Sequence, residues 1–135
     1  MLKDIFKLAL LSLPVMLSLS VSALAADMNG AWASDASVCS KVFVKNNDRI
    51  SFAPNAELYG GGFIVEGNRA SGTFQKCNIK SRKDDGTNIH IIAACSDGIM
   101  IQEMKFAVKL VGADQITLTL AEPQSVESPF VRCRL

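Results

Sequence analysis

From residue 49 onwards, apolar and polar side chains alternate in short runs that end at turn residues such as Gly and Pro. Alternation with a period of two gives each extended segment one apolar face, as in a half-buried β-strand. The pattern predicts about seven successive antiparallel strands. The clearest runs are Arg49–Ala53, Phe63–Glu66, Thr73–Arg82, Asn88–Ser96, Met100–Leu110, Ile116–Leu120 and Phe130–Leu135, with Pro123–Pro129 as a loop.

The hairpin around Gly86 is the clearest local signal, because turn residues separate two runs that each have one apolar face. A loop of Asp85-Gly86-Thr87 would fix the register of the two strands. It pairs Cys77 with Cys95, Ile79 with Ala93 and Ser81 with Ile91. In this register the two cysteines lie opposite each other and on the same face of the sheet, which supports a disulfide between them.

A small all-β domain has to protect its strand edges, and closure into a barrel does this best. We therefore expect a small antiparallel up-and-down barrel, with a sandwich as the alternative. Asp35 is a suitable N-cap for a short helical turn from Ala36 to Val42, which precedes the strands.

The N-terminal segment predicts export. Lys3 and Lys7 precede an apolar run from Leu8 to Leu24, and Ala23-Leu24-Ala25 offers small residues for signal peptidase. This pattern is typical of a secretory signal peptide cleaved after Ala25 or Ala26. We expect residues 1–26 to be the signal peptide and residues 27–135 to form one domain, periplasmic or secreted, with no membrane span after cleavage.

All four cysteines follow the predicted signal peptide, and an even count in an oxidising compartment indicates two disulfides. Three pairings are possible. The hairpin register favours Cys77–Cys95, which leaves Cys39 with Cys133 and would tie the first element to the last strand. Closing so long a loop stabilises a fold by roughly 4 kcal/mol.

Gly30-Ala31-Trp32 resembles the Gly-x-Trp opening of lipocalins, avidins and small periplasmic protease inhibitors. The whole chain also resembles small exported alphaproteobacterial proteins that combine this opening with a terminal Arg-Cys. The resemblance implies a lipocalin-like barrel in which Trp32 closes one end and Arg132 or Arg134 packs over it. The protease inhibitors usually have one disulfide, whereas this sequence provides for two.

No catalytic constellation is present, so we expect a protein that is not an enzyme and has no metal or cofactor. His90 is the only histidine, lies within a predicted strand and has no nucleophile motif nearby. Asp84 and Asp85 belong to a turn, where aspartate is common. Removing Lys3, Lys7 and Asp4 from 14 basic and 13 acidic residues leaves 12 of each, which argues against nucleic-acid binding.

Two segments are candidates for binding a protein partner. Tyr59 precedes Gly60, Gly61 and Gly62, which would allow its loop to move on a rigid frame. In the strand that follows, Lys76, Lys80 and Arg82 share one predicted outward face, which suits an acidic partner.

These features favour a non-enzymatic binding protein, such as a hydrolase inhibitor or an envelope interaction factor. The alternative is a lipocalin-like carrier of a small apolar ligand. The volume inside the barrel distinguishes the two functions. Large apolar residues on the inward faces predict a filled core, which favours the inhibitor.

Overall fold

The computed structural model describes residues 25–120 and 125–135, so the predicted signal peptide lies outside the described residues except for 25 and 26. No helix in the described part of the chain is long and apolar enough to cross a membrane. The strands are β1 (Gly30–Ala33), β2 (Phe43–Asn46), β3 (Arg49–Phe52), β4 (Gly62–Glu66), β5 (Arg69–Gly72), β6 (Lys76–Asp85), β7 (Asn88–Ser96), β8 (Ile101–Gly112), β9 (Gln115–Leu120) and β10 (Val126–Arg132). Helix α1 (Cys39–Val42) follows a 3₁₀ turn (Ala36–Val38), and a second 3₁₀ turn spans Ala56–Tyr59.

Eight of the strands form a closed barrel in the order β1-β10-β9-β8-β7-β6-β5-β4, and β1 pairs with β4 to complete it. All neighbouring strands are antiparallel. The prediction of a small antiparallel barrel is confirmed, and the sandwich is excluded. Both disulfides are also confirmed, Cys39–Cys133 and Cys77–Cys95.

The hairpin of β6 and β7 contains a β-bulge that the sequence did not reveal. Cys77 pairs with Cys95 as predicted, but Ser81 lies opposite Ile92 because the register shifts between Ile79 and Ser81. The loop is correspondingly one residue shorter than expected, with Asp85 paired to Asn88. Beyond an inserted residue, the side chains of a strand point to the opposite face of the sheet. The side chains of β6 therefore switch faces at Lys80.

Strands β2 and β3 form a separate hairpin outside the barrel, and strand β2 was not predicted. Side chains of this hairpin pack with α1 and with the outer faces of β1 and β4 in an apolar cluster that includes Phe43 and Ile64. Asp35 caps the first 3₁₀ turn by accepting a hydrogen bond from the Ser37 N–H at 2.7 Å, as expected. The protein therefore has one apolar cluster inside the barrel and a second one outside it.

The last strand begins at Val126, so the expected loop over Pro123–Pro129 is wrong from residue 126 onwards. Pro129 pairs with Thr117 of β9. Three residues further along β10, the Arg132 N–H donates to the Asp114 carbonyl and therefore points towards β9. Because ladder bonds alternate along a strand, the Pro129 nitrogen points away from β9. On that other side, the pairing of β1 with β10 reaches only Val131, so the missing N–H disrupts no ladder there.

Candidate functional site

The interior of the barrel contains a cavity of about 370 Å³, so the expectation of a filled core is wrong. Apolar side chains from β4, β6, β7, β8 and β9 make up most of its wall. Polar groups lie mainly at the end of the barrel where strand β1 begins. We call this end the Trp32 end. The lining residues are Asp27, Met28, Asn29, Phe63, Val65, Gly67, Asn68, Ala70, Gly72, Gln75, Cys77, Ile79, Arg82, Ile91, Ala93, Phe106, Val108 and Leu118.

Small residues at inward positions on β5 and β7, the two neighbours of β6, create this space. Ala70 and Gly72 of β5 and Ala93 of β7 line the cavity where larger side chains would fill it. Trp32 and Ile89, by contrast, are fully buried in the inner cluster. The barrel is thus packed solidly around Trp32 and is hollow along β5, β6 and β7.

The bulge in β6 places Arg82 in the cavity wall, whereas Lys76 and Lys80 line a groove on the outer surface. The prediction that these three cations share one outward face is therefore wrong. Arg82 donates to both carboxylate oxygens of Asp84, at 2.7 and 3.0 Å, and to the Ala26 carbonyl at 2.6 Å. The Asp84 hydrogen bond raises the pKa of Arg82 and lowers that of Asp84.

At the Trp32 end, the segment that leads into β1 packs against Trp32. Trp32 is 1% exposed, and its indole N–H donates to the Met28 carbonyl at 2.9 Å. The guanidinium of Arg132 lies 4.6 Å from the centre of the indole ring and donates to the carbonyls of Asn29 and Asp27. A cation over an aromatic face is attracted by the ring quadrupole, so Arg132 holds both the ring and the segment in place.

Of the two C-terminal arginines, Arg132 is thus the one that packs over Trp32, with its Nε also 3.1 Å from Asp114. Arg134 reaches the other oxygen of the same carboxylate at 3.1 Å and is 89% exposed.

The segment that carries Tyr59 is a 3₁₀ turn against the outer cluster. Tyr59 is 40% exposed, and the Lys41 ammonium lies 4.9 Å from the centre of its ring. Gly60 and Gly61 follow in the left-handed region, at φ of 86° and 62°. Gly62 begins β4 so close to β1 that a methyl group there would overlap the Trp32 carbonyl oxygen. Close packing is therefore one physical reason for glycine at position 62.

Among the described residues, the cross-strand neighbours of His90 include no hydroxyl, thiol or carboxylate group. Its side chain is exposed on β7, with Lys83 and Ala107 as its cross-strand neighbours. Among residues 25–120 and 125–135, no group of three or more His, Cys, Asp or Glu is placed to hold a metal ion. The cavity and the outer groove are two places where a ligand could be held.

Comparisons of this chain with protein-family models, with curated proteins and with solved structures gave no match. We therefore infer function from the fold, the cavity and the groove.

Proposed function

We propose that this protein binds a small, uncharged, predominantly apolar molecule inside its barrel, as a carrier or scavenger. The cavity of about 370 Å³ is the observation that supports this function. Ligand sites typically span about 300–1,000 Å³ and combine apolar walls with a few polar groups. At about 30 Å³ per water-sized group, the cavity has space for roughly a dozen such groups.

The polarity of the lining supports an uncharged ligand. The charged residues of the wall are Arg82 and Asp27. The Arg82 charge is already balanced by Asp84, and Asp27 is an exposed residue of the segment that leads into β1 rather than a residue deep in the cavity. A charged group deep in the cavity would lose its hydration without gaining an unpaired partner there, which is costly.

Gln75 provides a polar contact at the opposite end of the cavity. Its amide nitrogen lies 3.4 Å from the sulfur of Met104, a weak acceptor, so the amide is available for a better partner. A hydroxyl or carbonyl group on an otherwise apolar ligand would supply one. A long-chain alcohol has this combination of properties.

The test uses 1-dodecanol, dodecanoate and dodecylammonium, which share one chain length and differ in charge. We expect displacement of an apolar fluorescent dye to show dodecanol binding at least about tenfold more tightly than either ion, because burial of an unpaired charge is costly. Ala93→Leu, which fills the cavity from β7, should weaken dodecanol binding. Ala107→Leu on β8 adds the same atoms outside the cavity and is the matched control.

Equal binding of the three compounds would argue against an uncharged ligand. Equal weakening by both substitutions, with melting temperatures showing that both variants fold, would argue against binding inside the barrel. Native mass spectrometry of protein purified without detergent should in addition reveal a small bound molecule that is lost from the Ala93→Leu variant.

Protein binding at the Tyr59 turn is a second candidate function. Leu58 is 74% exposed beside Tyr59, so two large apolar side chains project from one short turn. Adjacent exposed apolar residues are typical of contact sites. Tyr59→Ala should weaken capture of a protein from envelope extract while lowering the melting temperature only slightly, and unchanged capture would contradict this role.

A further inference from the structure

A groove of about 750 Å³ runs along the outside of the barrel, separate from the interior cavity. One wall is the strand β3, represented by Ile50, Ser51 and Phe52. The floor is the outer surface of the strands from β4 to β8. The floor residues include Ile64, Glu66, Arg69, Ser71, Lys76, Asn78, Lys80, Ala94, Ser96 and Ile101.

The charge of this groove is predominantly positive. Arg69, Lys76 and Lys80 are its basic residues, and Glu66 is its acidic one. All four are exposed, and none of them forms an ion pair within the part of the chain that the structure describes. An unneutralised cluster of one sign in a concave surface attracts ligands of the opposite sign.

The wall of the groove is an unpaired strand edge. Among the described strands, β3 pairs with β2 and with no other. The Ala53 N–H donates to the Val42 carbonyl at 2.8 Å, and antiparallel bonds alternate along a strand. Ser51 therefore directs its backbone groups at β2. Ile50 and Phe52 direct their N–H and C=O groups away from β2, on the groove side.

From these two observations we infer that the groove binds an extended acidic segment of a partner protein, which adds to β3 as a third strand. The backbone of the segment would pair with Ile50 and Phe52, as in β-strand addition. Its acidic side chains would lie near Lys76 and Lys80. A polyanionic glycan would satisfy the charges but would leave the strand edge without its pairing partner, so the protein segment fits more of the groove.

The probe is a fluorescently labelled, end-blocked peptide of alternating glutamate and valine, about eight residues long, close to the length of an ordinary strand. We expect it to bind the full exported protein, and the same peptide with lysine in place of glutamate to bind far more weakly. The double variant Lys76→Glu/Lys80→Glu should bind the acidic peptide at least about tenfold more weakly. The control is Lys83→Glu/Lys109→Glu, which makes the same charge change away from the groove.

Amide exchange measured by NMR tests the strand pairing directly. On adding the peptide, the amides of Ile50 and Phe52 should become protected, whereas that of Ser51 should change little because it already faces β2. Failure of the acidic peptide to bind, equal loss in both double variants, or binding without protection of these two amides would each overturn the inference. Tighter binding of a heparin fragment, dependent on Lys76 and Lys80 but without protection on β3, would identify a glycan site instead.

Binding of dodecanol in the cavity is an independent measurement on the same samples. The charge-reversal variants should retain it, because Lys76 and Lys80 lie outside the barrel. Loss of peptide binding with intact dodecanol binding would therefore concern the groove alone.

Discussion

The two disulfides close loops of very different length, so removing them separately tests what each contributes to stability. The bridged residues are 94 positions apart in Cys39–Cys133 and 18 apart in Cys77–Cys95. The loop-entropy relation gives a stabilisation of about 4.7 kcal/mol for the longer loop and about 3.2 kcal/mol for the shorter one. We therefore expect Cys39→Ala/Cys133→Ala to be less stable than Cys77→Ala/Cys95→Ala by about 1.5 kcal/mol.

The assay is urea unfolding of the wild type and both double variants under identical conditions. Each variant loses two sulfur atoms, so the cost of lost packing partly cancels in the comparison. A longer-loop variant that is largely unfolded without urea would agree with the expected order, since domains of this size have only about 5–15 kcal/mol to lose. Equal stability of the two variants, or a reversed order, would refute the argument from loop length.

Two further predictions concern single side chains. Arg132→Met should lower the free energy of unfolding by about 2 kcal/mol, because it removes charged hydrogen bonds to the segment before β1 and the contact with the Trp32 ring. Unfolding monitored by Trp fluorescence measures this loss. An unchanged unfolding midpoint would contradict the prediction. Asp97 accepts hydrogen bonds from the N–H groups of Met100 and Ile99, and these bonds lower the pKa of Asp97. The contribution of Asp97 to stability is therefore present above its ordinary pKa and is lost as the pH falls through the lowered value. Asp97→Asn keeps an acceptor without this titration, so the difference in stability between the two proteins should shrink as the pH falls below about 4 and disappear only below the lowered pKa of Asp97.

The features that the sequence predicted correctly are those carried by local patterns. Period-two alternation identified most barrel strands, and the hairpin register around Gly86 placed Cys77 opposite Cys95. The bulge at Lys80 left no such mark, because the residues after Ile79 are polar on both faces. Alternation therefore cannot show where the facing changes, and the inward position of Arg82 was missed.

The cavity and the groove depend on side chains from distant parts of the chain. Whether the barrel interior is full depends on the summed volumes of residues on different strands, and Ala70 and Ala93 become neighbours of one space only when the barrel closes. Strand β2 has four residues and its second half is polar and exposed, so its short pattern gave little signal. Its position outside the barrel is a tertiary property.

The separation of the protein into two apolar clusters explains how so small a barrel can remain partly hollow. The outer cluster and the Cys39–Cys133 bridge stabilise the fold without filling the interior. The unfilled cavity should then lower the stability of the fold. Ala93→Leu buries about three more carbon atoms in this space, worth up to about 2 kcal/mol if they fit without strain. We expect thermal unfolding to show a higher melting temperature for this variant, together with its weaker dodecanol binding. A lower melting temperature would mean that the space cannot accept a leucine and that the wall around Ala93 is already closely packed.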